Sequence, residues 1–174
     1  MKIVSILFFI CIVFTSCDDK FVIVKSGTVL PDEKLKRDDT ILTDSIQKIK
    51  FSRLFKPTAH GLIYSYQVPT ELRKKDFYIV FDGFARTNSP HSFAYINVNA
   101  DSEAGVNLSW NGLSLRYYFT DLNEWCYFKD SVYIKHETWY EPFYKINTYA
   151  FTGNSQSENF DIKNLNVQIK IREQ

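Results

Sequence analysis

The sequence predicts an all-β protein, an antiparallel β-sandwich of about eight or nine strands. The 174 residues include 15 Phe and 11 Tyr, and aromatic side chains at this density favour the pleated, half-buried surface of a strand. From residue 46 onward, short runs alternate between apolar and polar residues, with turn residues between them. Prolines fall between the runs, where they interrupt no hydrogen-bond ladder. Signals for helices are poor, so the runs indicate strands.

The first sixteen residues have the layout of a secretory signal. Lys2 is a short positive head, residues 3–14 are an apolar run, and Thr15 and Ser16 are small and polar. The apolar run is shorter than the ~20 residues that a membrane-spanning helix needs. We therefore expect residues 1–16 to be a cleaved signal peptide.

A cysteine directly follows this segment. Phe14-Thr15-Ser16-Cys17 resembles the bacterial lipobox, in which the cysteine receives lipid before cleavage and becomes the first residue of the mature chain. The resemblance implies that Cys17 is lipidated and attaches the protein to a membrane. A plain signal peptide with a chance cysteine at its boundary is the alternative.

Asp18 and Asp19 bear on the compartment. In the sorting rule of enteric bacteria, an aspartate here implies retention in the inner membrane, whereas acidic residues after the cysteine resemble the surface-export signals of Bacteroidetes lipoproteins. The Phe-, Tyr-, Asn- and Lys-rich chain is similar to the second group. We expect a cell-envelope protein anchored in the outer membrane, with surface exposure left open.

The charge balance excludes one class of partner. Without residues 1–16, the 21 Lys and Arg fall to 20 and equal the 20 Asp and Glu. That class is polyanions, because nucleic-acid binding and polybasic binding of a membrane surface both need a basic excess; we therefore expect no nucleic-acid partner and no polybasic membrane-surface role. With Cys17 lipidated, Cys126 is the one cysteine left in the mature chain, and we expect it to be a small buried hydrophobe. No internal disulfide supports the fold.

Residues 17–40 are interpreted as the lipidated cysteine and a tether. Residues 32–39 are almost entirely charged, and such a run seldom packs. As flexible coil, a segment of this length spans roughly 25–30 Å, enough to hold a domain clear of the bilayer. Residues 21–24 form an apolar run that is also compatible with an edge strand. The β-sandwich domain is assigned to residues 41–174.

Nine strands are predicted within that domain. A turn is expected at Asn111-Gly112, because both residues tolerate the positive φ of a tight hairpin. The predicted strands cover residues 46–55, 61–68, 77–86, 93–100, 106–110, 113–119, 125–135, 144–151 and 160–171.

Alternation within the strands predicts the core. Every second side chain of a half-buried strand points inward. The side chains expected to point inward are Phe77, Ile79, Phe81, Ala94, Ile96, Val98, Leu113, Leu115, Tyr117, Cys126, Phe128, Val132, Ile134, Leu165, Val167, Ile169 and Ile171.

The order of four segments resembles a known family. Residues 76–81, 125–132, 145–151 and 160–167 are similar in pattern to the galactose-binding-type jelly roll of many carbohydrate-binding modules, over about residues 46–172. The resemblance implies a jelly-roll sandwich that holds sugar on a sheet face or in the loops at one end. Where the family commonly has an acidic pair for a structural calcium, this chain has Lys163-Asn164, so no metal or other cofactor is expected.

Exposed aromatic and amide side chains are the candidate sugar-binding groups. Flat rings pack against the C–H surfaces of sugars, and amides or charged groups bond the hydroxyls. We favour the pair Trp139-Tyr140, which precedes Pro142 outside the strongest alternation; Trp125 opens a core strand and is expected to be structural. Most aromatics of a sandwich are core residues or cross-strand pairs. The candidates are Tyr127, Tyr133, Tyr149 and Asn147 on one face, extended by Tyr95 and Asn97, then Trp110-Asn111 and Trp139-Tyr140 in loops, with Arg86 or Glu141 as polar partners.

No catalytic motif supports an enzyme. The three histidines, His60, His91 and His136, are far apart and lack metal-ligand spacing, and available carboxylates lie in turns. Three functions remain open. They are a non-catalytic glycan-binding module, a structural or protein-interaction lipoprotein of the envelope, and a small glycoside hydrolase. The absence of a motif favours the first two.

Overall fold

The computed structural model describes residues 21–29, 39–45, 47–55, 59–137, 139–153 and 159–172. Their fold is all-β, which confirms the predicted antiparallel sandwich. A single 3-10 turn covers Thr70–Leu72, and no helix in these ranges is long and apolar enough to cross a membrane. The ten strands are β1 (Phe21–Val29), β2 (Thr40–Thr43), β3 (Lys50–Leu54), β4 (His60–Gln67), β5 (Phe77–Thr87), β6 (Ala94–Asp101), β7 (Asn107–Ser114), β8 (Cys126–Ile134), β9 (Lys145–Thr152) and β10 (Phe160–Arg172).

The strands form two antiparallel sheets. The six-stranded sheet has the order β2-β3-β10-β5-β8, with β1 as its sixth strand paired to β10, and the four-stranded sheet has the order β4-β9-β6-β7. Strand β10 is long enough to pair with two different strands, β3 and β1, along one edge. Its residues 160–162 pair with β3, and its residues 165–172 pair with β1, while β5 lies along the other edge.

Inward-facing side chains of both sheets form one core. Phe77, Ile79 and Phe81 of β5 are fully buried, and so are Ile96 and Val98 of β6. Burial of each large apolar side chain contributes roughly 1.5–3 kcal/mol, so this interior is the main source of stability. The alternation predicted from the sequence is therefore correct for most of the core.

Two of the predicted core residues are exceptions. Tyr117 is 82% exposed, because β7 ends at Ser114 and the chain then turns, with the Tyr118 amide donating to the Leu115 carbonyl. Cys126 is only half-buried at the start of β8, with its Sγ 3.8 Å from Thr120 Oγ1. Alternation cannot be extended beyond the end of a strand. Leu113 and Ile171 are half-buried at the edge of the core.

The hairpin turn predicted at Asn111-Gly112 is wrong. Strand β7 continues through both residues, which pair with Val98 and Asn97 of β6. A Cβ atom on Gly112 would lie 2.5 Å from Asn97 Oδ1, so glycine is needed here for close approach and not for a turn. Asn111 Nδ2 donates to the Tyr133 carbonyl at 3.1 Å and links the edges of the two sheets.

The first part of the predicted tether belongs to the sandwich. Strand β1 pairs with β10 from Phe21 opposite Arg172 to Val29 opposite Leu165, and Val29 is only 7% exposed. The apolar residues of β1 therefore form a strand and not flexible coil. Most of the charged run at residues 32–39, like residues 1–20, lies outside the described residues.

Candidate functional site

The outer face of the four-stranded sheet gathers aromatic and amide side chains. Strand pairing sets the arrangement, because alternate residues of each strand point away from the core. Asn97 lies opposite Tyr149, Asn99 lies between Asn147 and Trp110, and Tyr95 lies opposite Phe151. We call this set the amide-aromatic face; it consists of His60, Ser65, Tyr95, Asn97, Asn99, Asp101, Trp110, Asn147, Tyr149 and Phe151.

Hydrogen bonds hold the polar groups of the amide-aromatic face in place. Asn147 Nδ2 donates to Asp101 Oδ2 at 2.8 Å, and Asn147 Oδ1 accepts from Ser65 Oγ at 2.7 Å. Tyr149 Oη donates to Asn99 Oδ1 at 3.2 Å. These bonds orient amide and carboxylate groups before any ligand arrives, which reduces the conformational entropy lost on binding.

Rings cover the rest of this face. The His60 ring lies 5.1 Å from the rings of both Tyr149 and Phe151. Trp110, on the edge strand β7, is 58% exposed, whereas Tyr95 is half-buried. The face therefore offers an open indole beside groups that donate and accept hydrogen bonds.

Asn97 is the most deeply buried polar residue of the face. Its side chain is 1% exposed, and no donor among the described residues reaches its Oδ1. A buried acceptor without a partner is unfavourable by about 1–3 kcal/mol. Gly112 leaves the space that this amide occupies.

The structure separates the sugar-binding candidates into three places. Trp110, Tyr149 and Asn147 lie together on the amide-aromatic face, with Tyr95 and Asn97. Tyr127 and Tyr133 lie on the outer face of the six-stranded sheet, on the other side of the sandwich. The expectation that the tyrosines of β8 share a face with those of β9 is wrong, because the chain crosses from one sheet to the other between these strands. Trp139-Tyr140 lies in the loop between β8 and β9.

Arg86 belongs to a charged cluster around Asp161. Asp161 is 2% exposed and accepts three hydrogen bonds, from Arg53 Nε and Nη2 at 2.7 and 2.8 Å and from Arg86 Nε at 2.7 Å. The hydrogen bond to Asp161 raises the pKa of Arg53. Arg86 was predicted as a polar partner for a sugar; its Nε donates instead to a buried carboxylate.

Trp125 covers this charged cluster, in agreement with its expected structural role. Its ring lies 4.4 Å from the Arg86 guanidinium carbon and 4.0 Å from Lys163 Nζ, and Phe51 contacts its edge at 5.6 Å. Lys163 is 3% exposed and donates to Gln47 Oε1. Burial lowers the pKa of Lys163, with Asp44 acting in the opposite direction and Arg86 in the same one.

Tyr133 is fixed by its neighbours. Its hydroxyl donates to Asp76 Oδ2 at 2.6 Å, and this hydrogen bond, with burial, raises the pKa of Tyr133 to about 12. Its ring lies 4.6 Å from Tyr78, which lies 4.6 Å from Phe21. Tyr127 is 53% exposed and contacts Phe84 at 5.5 Å.

Trp139 is 75% exposed, and its ring contacts Tyr140 at 5.9 Å. Tyr140 packs against the core, so it holds the base of the loop, whereas Trp139 projects from it. Glu141 and Pro142 complete this exposed turn. Trp139 lies on neither sheet face.

A shallow cavity of about 210 Å³ lies between the loops at the opposite end of the sandwich. Its polar lining includes Ser89, Arg116, Thr120 and Asp121.

Within the described ranges, no group of three or more His, Cys, Asp or Glu side chains is arranged to hold a metal ion. Asn99 was not predicted as a site residue, and Asp101 was expected in a turn; both lie in β6, where a polar residue in a strand is the sequence signal of an outward-facing position.

Comparisons with known proteins give similarities of fold. No protein-family model and no curated protein sequence matches the chain. A chain of the infectious bursal disease virus VP2 subviral particle has a TM-score of 0.51 and 8% identity over 90% of this chain. A chain of the glycosylation associate protein (Gap123) complex from Streptococcus agalactiae has a TM-score of 0.50 and 11% identity over 82% of it. This chain spans 33% and 44% of those two chains.

Similar structures also include a carbohydrate-binding module. The C-terminal CBM6 of the laminarinase LamC from Zobellia galactanivorans has a TM-score of 0.41 and 12% identity, over 83% of this chain and 99% of the module.

Proposed function

We propose that this chain is a lipid-anchored protein of the cell envelope that binds carbohydrate, without catalysis, on the amide-aromatic face. The observation that carries the proposal is the combination of an exposed indole with oriented amide and carboxylate groups on one open sheet face. Sugars present both surfaces that such a face complements, apolar C–H patches and hydroxyl groups.

Each part of the face has a role in this binding. The exposed ring of Trp110 is the platform for a sugar ring, and Tyr149 and Tyr95 extend it along the sheet. Asn99, Asn147 and Asp101 supply donors and acceptors for hydroxyls. The one carboxylate of the face, Asp101, lies opposite Lys145 at the start of β9, so this charge is balanced and the face favours a neutral sugar chain over an acidic one.

The anchor is proposed from the sequence. The lipobox-like Phe14-Thr15-Ser16-Cys17 supports acylation of Cys17, and Asp18 and Asp19 support outer-membrane location. A fixed, non-catalytic binding site at the envelope holds polysaccharide close to the cell.

A glycan array with the chain from residue 17 onward, carrying Cys17→Ser, tests sugar binding. We expect a neutral glycan to bind, and Trp110→Ala and Tyr149→Ala to weaken that binding by about tenfold or more, as truncation of central aromatic residues commonly does. Affinities for the bound glycan are measured by calorimetry.

Two matched variants control this experiment. Tyr127→Ala removes an exposed tyrosine from the opposite sheet, and Trp139→Ala removes the exposed loop tryptophan; both should bind as the unchanged chain does. Absence of binding to every glycan contradicts the proposal. Loss of binding in Trp139→Ala with normal binding in Trp110→Ala would move the site to the loop.

A further inference from the structure

We propose that one end of the sandwich rests directly on a phospholipid surface. This membrane end consists of the start of β1 at residues 21–23, the loops at residues 68–76 and 102–106, the loop residues 135–137 and 139–144, and the last residues of β10. The inference rests on the lipid anchor at Cys17 in the proposed function and adds an orientation of the domain on the bilayer.

Strand pairing brings these segments to the same end. Phe21 lies opposite Arg172, and Phe77, which opens β5, lies opposite Ile134, which closes β8. Backbone hydrogen bonds connect the loops, from the Phe143 amide to the Arg73 carbonyl and from the Tyr144 amide to the Asp101 carbonyl. The start of β1 and the three loops therefore form one surface.

Chain length selects this end for contact with the membrane. Four peptide units connect Cys17 to Phe21, and a fully extended chain of this length spans at most about 14 Å. An acylated Cys17 lies at the bilayer surface, so Phe21 must lie within that distance of it. A flexible tether would hold the domain roughly 25–30 Å from the bilayer. That separation is excluded, because β1 is part of the sheet.

Exposed apolar side chains at the membrane end suit a lipid interface. Phe21, Val22 and Ile23 are 39%, 41% and 51% exposed, and Val106 is 56% exposed. Trp139 is 75% exposed, and indole rings are enriched at membrane interfaces. The opposite end also exposes apolar residues, including Phe93 and Leu122, so exposure alone does not choose between the ends. The short connection between Cys17 and Phe21 therefore identifies the end that contacts the membrane.

Cations at the membrane end complement lipid phosphates. Lys74, Lys75 and Arg172 line a cavity of about 190 Å³ together with Asp76. Asp76 already accepts hydrogen bonds from the Tyr133 hydroxyl and the His136 amide. Each cation near an anionic bilayer contributes about fivefold to binding.

Acidic groups at the membrane end weaken the attraction of its cations to anionic lipid. Glu137 is paired with Lys135 at 3.0 Å, and Glu103 lies 3.9 Å from Arg73. Glu71 remains exposed on the 3-10 turn, and Asp18 and Asp19 precede β1 in the sequence. The apolar side chains therefore contribute most of the contact, and the lysines add to it.

The native tryptophans provide probes at both ends. Trp139 lies at the membrane end, whereas Trp125 lies at the opposite end, where the Asn123 amide donates to the Thr87 carbonyl that closes β5. The test attaches the chain from residue 17, in a Cys126→Ala background, through the Cys17 thiol to maleimide lipid. The vesicles contain phosphatidylethanolamine, phosphatidylglycerol and a lipid with a nitroxide headgroup, which quenches nearby indoles.

We expect strong quenching in the variant that retains Trp139 alone and none in the variant that retains Trp125 alone. Equal quenching of the two, or stronger quenching of Trp125, overturns the proposal. If a single-tryptophan variant does not fold, as judged by circular dichroism, Phe21→Trp and Phe93→Trp replace the native probes of the two ends.

A charge variant without the lipid link gives a second readout. Lys74→Glu with Lys75→Glu should lower the vesicle partition coefficient of the Cys17→Ser chain by about tenfold or more. Arg116→Glu with Lys129→Glu, two exposed cations away from this end, is the matched control and should change it less. Equal decreases of the partition coefficient in the two double variants contradict a contact localised at the membrane end.

Failure of this inference is distinguishable from failure of the proposed function. Acylation in cells is measured by incorporation of labelled palmitate at Cys17, with Cys17→Ser as the negative control, and glycan affinity is measured on Lys74→Glu with Lys75→Glu. Palmitate incorporation and glycan binding without selective Trp139 quenching overturn the membrane contact alone. Selective quenching without palmitate incorporation overturns the proposed anchor, and the partition coefficient of the Cys17→Ser chain then measures whether this end binds phospholipid by itself.

Discussion

Asp161 is the centre of a charged cluster on the outer face of the six-stranded sheet. It is a buried carboxylate that holds Arg53 and Arg86 from two neighbouring strands, and Trp125 shields the group from water. A buried ion pair adds little net stability over an apolar substitute, whereas loss of one partner leaves the others uncompensated. The cluster therefore fixes side-chain positions more than it stabilises the fold.

Asp161→Ala should lower the free energy of unfolding by about 2–4 kcal/mol, because two partly buried guanidinium groups lose their carboxylate. Urea denaturation measures the change. Asp121→Ala, at an exposed loop position, is the control and should stay within about 0.5 kcal/mol of the unchanged chain. A similar small loss in Asp161→Ala would show that the arginines find water or another partner.

Tyr133 should make stability sensitive to alkaline pH. Its hydrogen bond to Asp76 raises its pKa from 10.0 to about 12, so the folded protein keeps a proton that the unfolded chain loses. This contribution is complete below pH 10 and is lost as the pH rises through about 12.

Tyr133→Phe should therefore reduce the fall in stability across this pH interval, as followed by urea denaturation at several pH values. Tyr117→Phe changes a tyrosine that is 82% exposed and should leave the pH dependence as it was. An unchanged pH dependence in Tyr133→Phe would contradict the assigned role of the Asp76 hydrogen bond.

Among the elements, β4 contains an irregularity that directs one side chain into the core. The pairing of β4 with β9 shifts register between Gly61 and Tyr64, and Leu62 within this bulge has a φ of 47° and no exposure. A left-handed conformation is unfavourable for leucine by roughly 1–2 kcal/mol. Burial of the leucine side chain outweighs this strain, because its loss typically costs about 2–5 kcal/mol.

Leu62→Ala and Leu62→Gly separate the backbone strain at this position from the loss of the buried side chain. Both should destabilise the fold, and glycine should be the more stable of the two by about 1 kcal/mol, because it relieves the backbone strain. Chemical denaturation gives both values. At the buried strand position Ile96, the order of stability of the two variants should reverse, with Ile96→Gly less stable than Ile96→Ala. Leu62→Gly being less stable than Leu62→Ala would contradict the strained bulge.

At the scale of the whole molecule, β1 decides where the domain begins. It covers the C-terminal half of β10 and contributes Val29 to the core, so residues 41–174 are an incomplete sandwich. Because β1 begins at Phe21, only three residues separate it from Cys17, the residue that we propose to be acylated.

A chain that begins at residue 41 should therefore be less stable than one that begins at residue 18, by about 2 kcal/mol or more, since it loses a strand and exposes buried apolar area. Thermal unfolding of the two chains measures the difference. Lys25→Ala in the longer chain is a control for a mere sequence change in β1. Equal stability would restore the interpretation of residues 17–40 as a tether.

Much of the fold is predictable from local pattern. Side chains of a strand alternate between two environments, so alternation located most strands and most of the core. Where a local signal has two physical causes, the prediction was wrong. Gly112 resembles a turn residue, but its role is to let Asn97 approach. Residues 21–24 were compatible with a tether or with an edge strand, and their pairing with β10 decides for the strand.

The candidate site was less predictable, and the reason is geometric. Tyr133 and Tyr149 are both outward-facing residues of strands, and nothing in their spacing says that β8 and β9 belong to different sheets. Arg86 resembles a free surface cation until Asp161 and Trp125 are placed beside it.

By itself, the amino-acid sequence determined the all-β class, the alternation that forms the core, and the expectation of an acylated Cys17, because these depend on residues that are neighbours along the chain. The tertiary structure alone decided which aromatic side chains share a face, which charges are paired, and at which end of the sandwich β1 begins. Those properties depend on strand pairing over long sequence separations, and an exposed side chain has the same local pattern on either sheet.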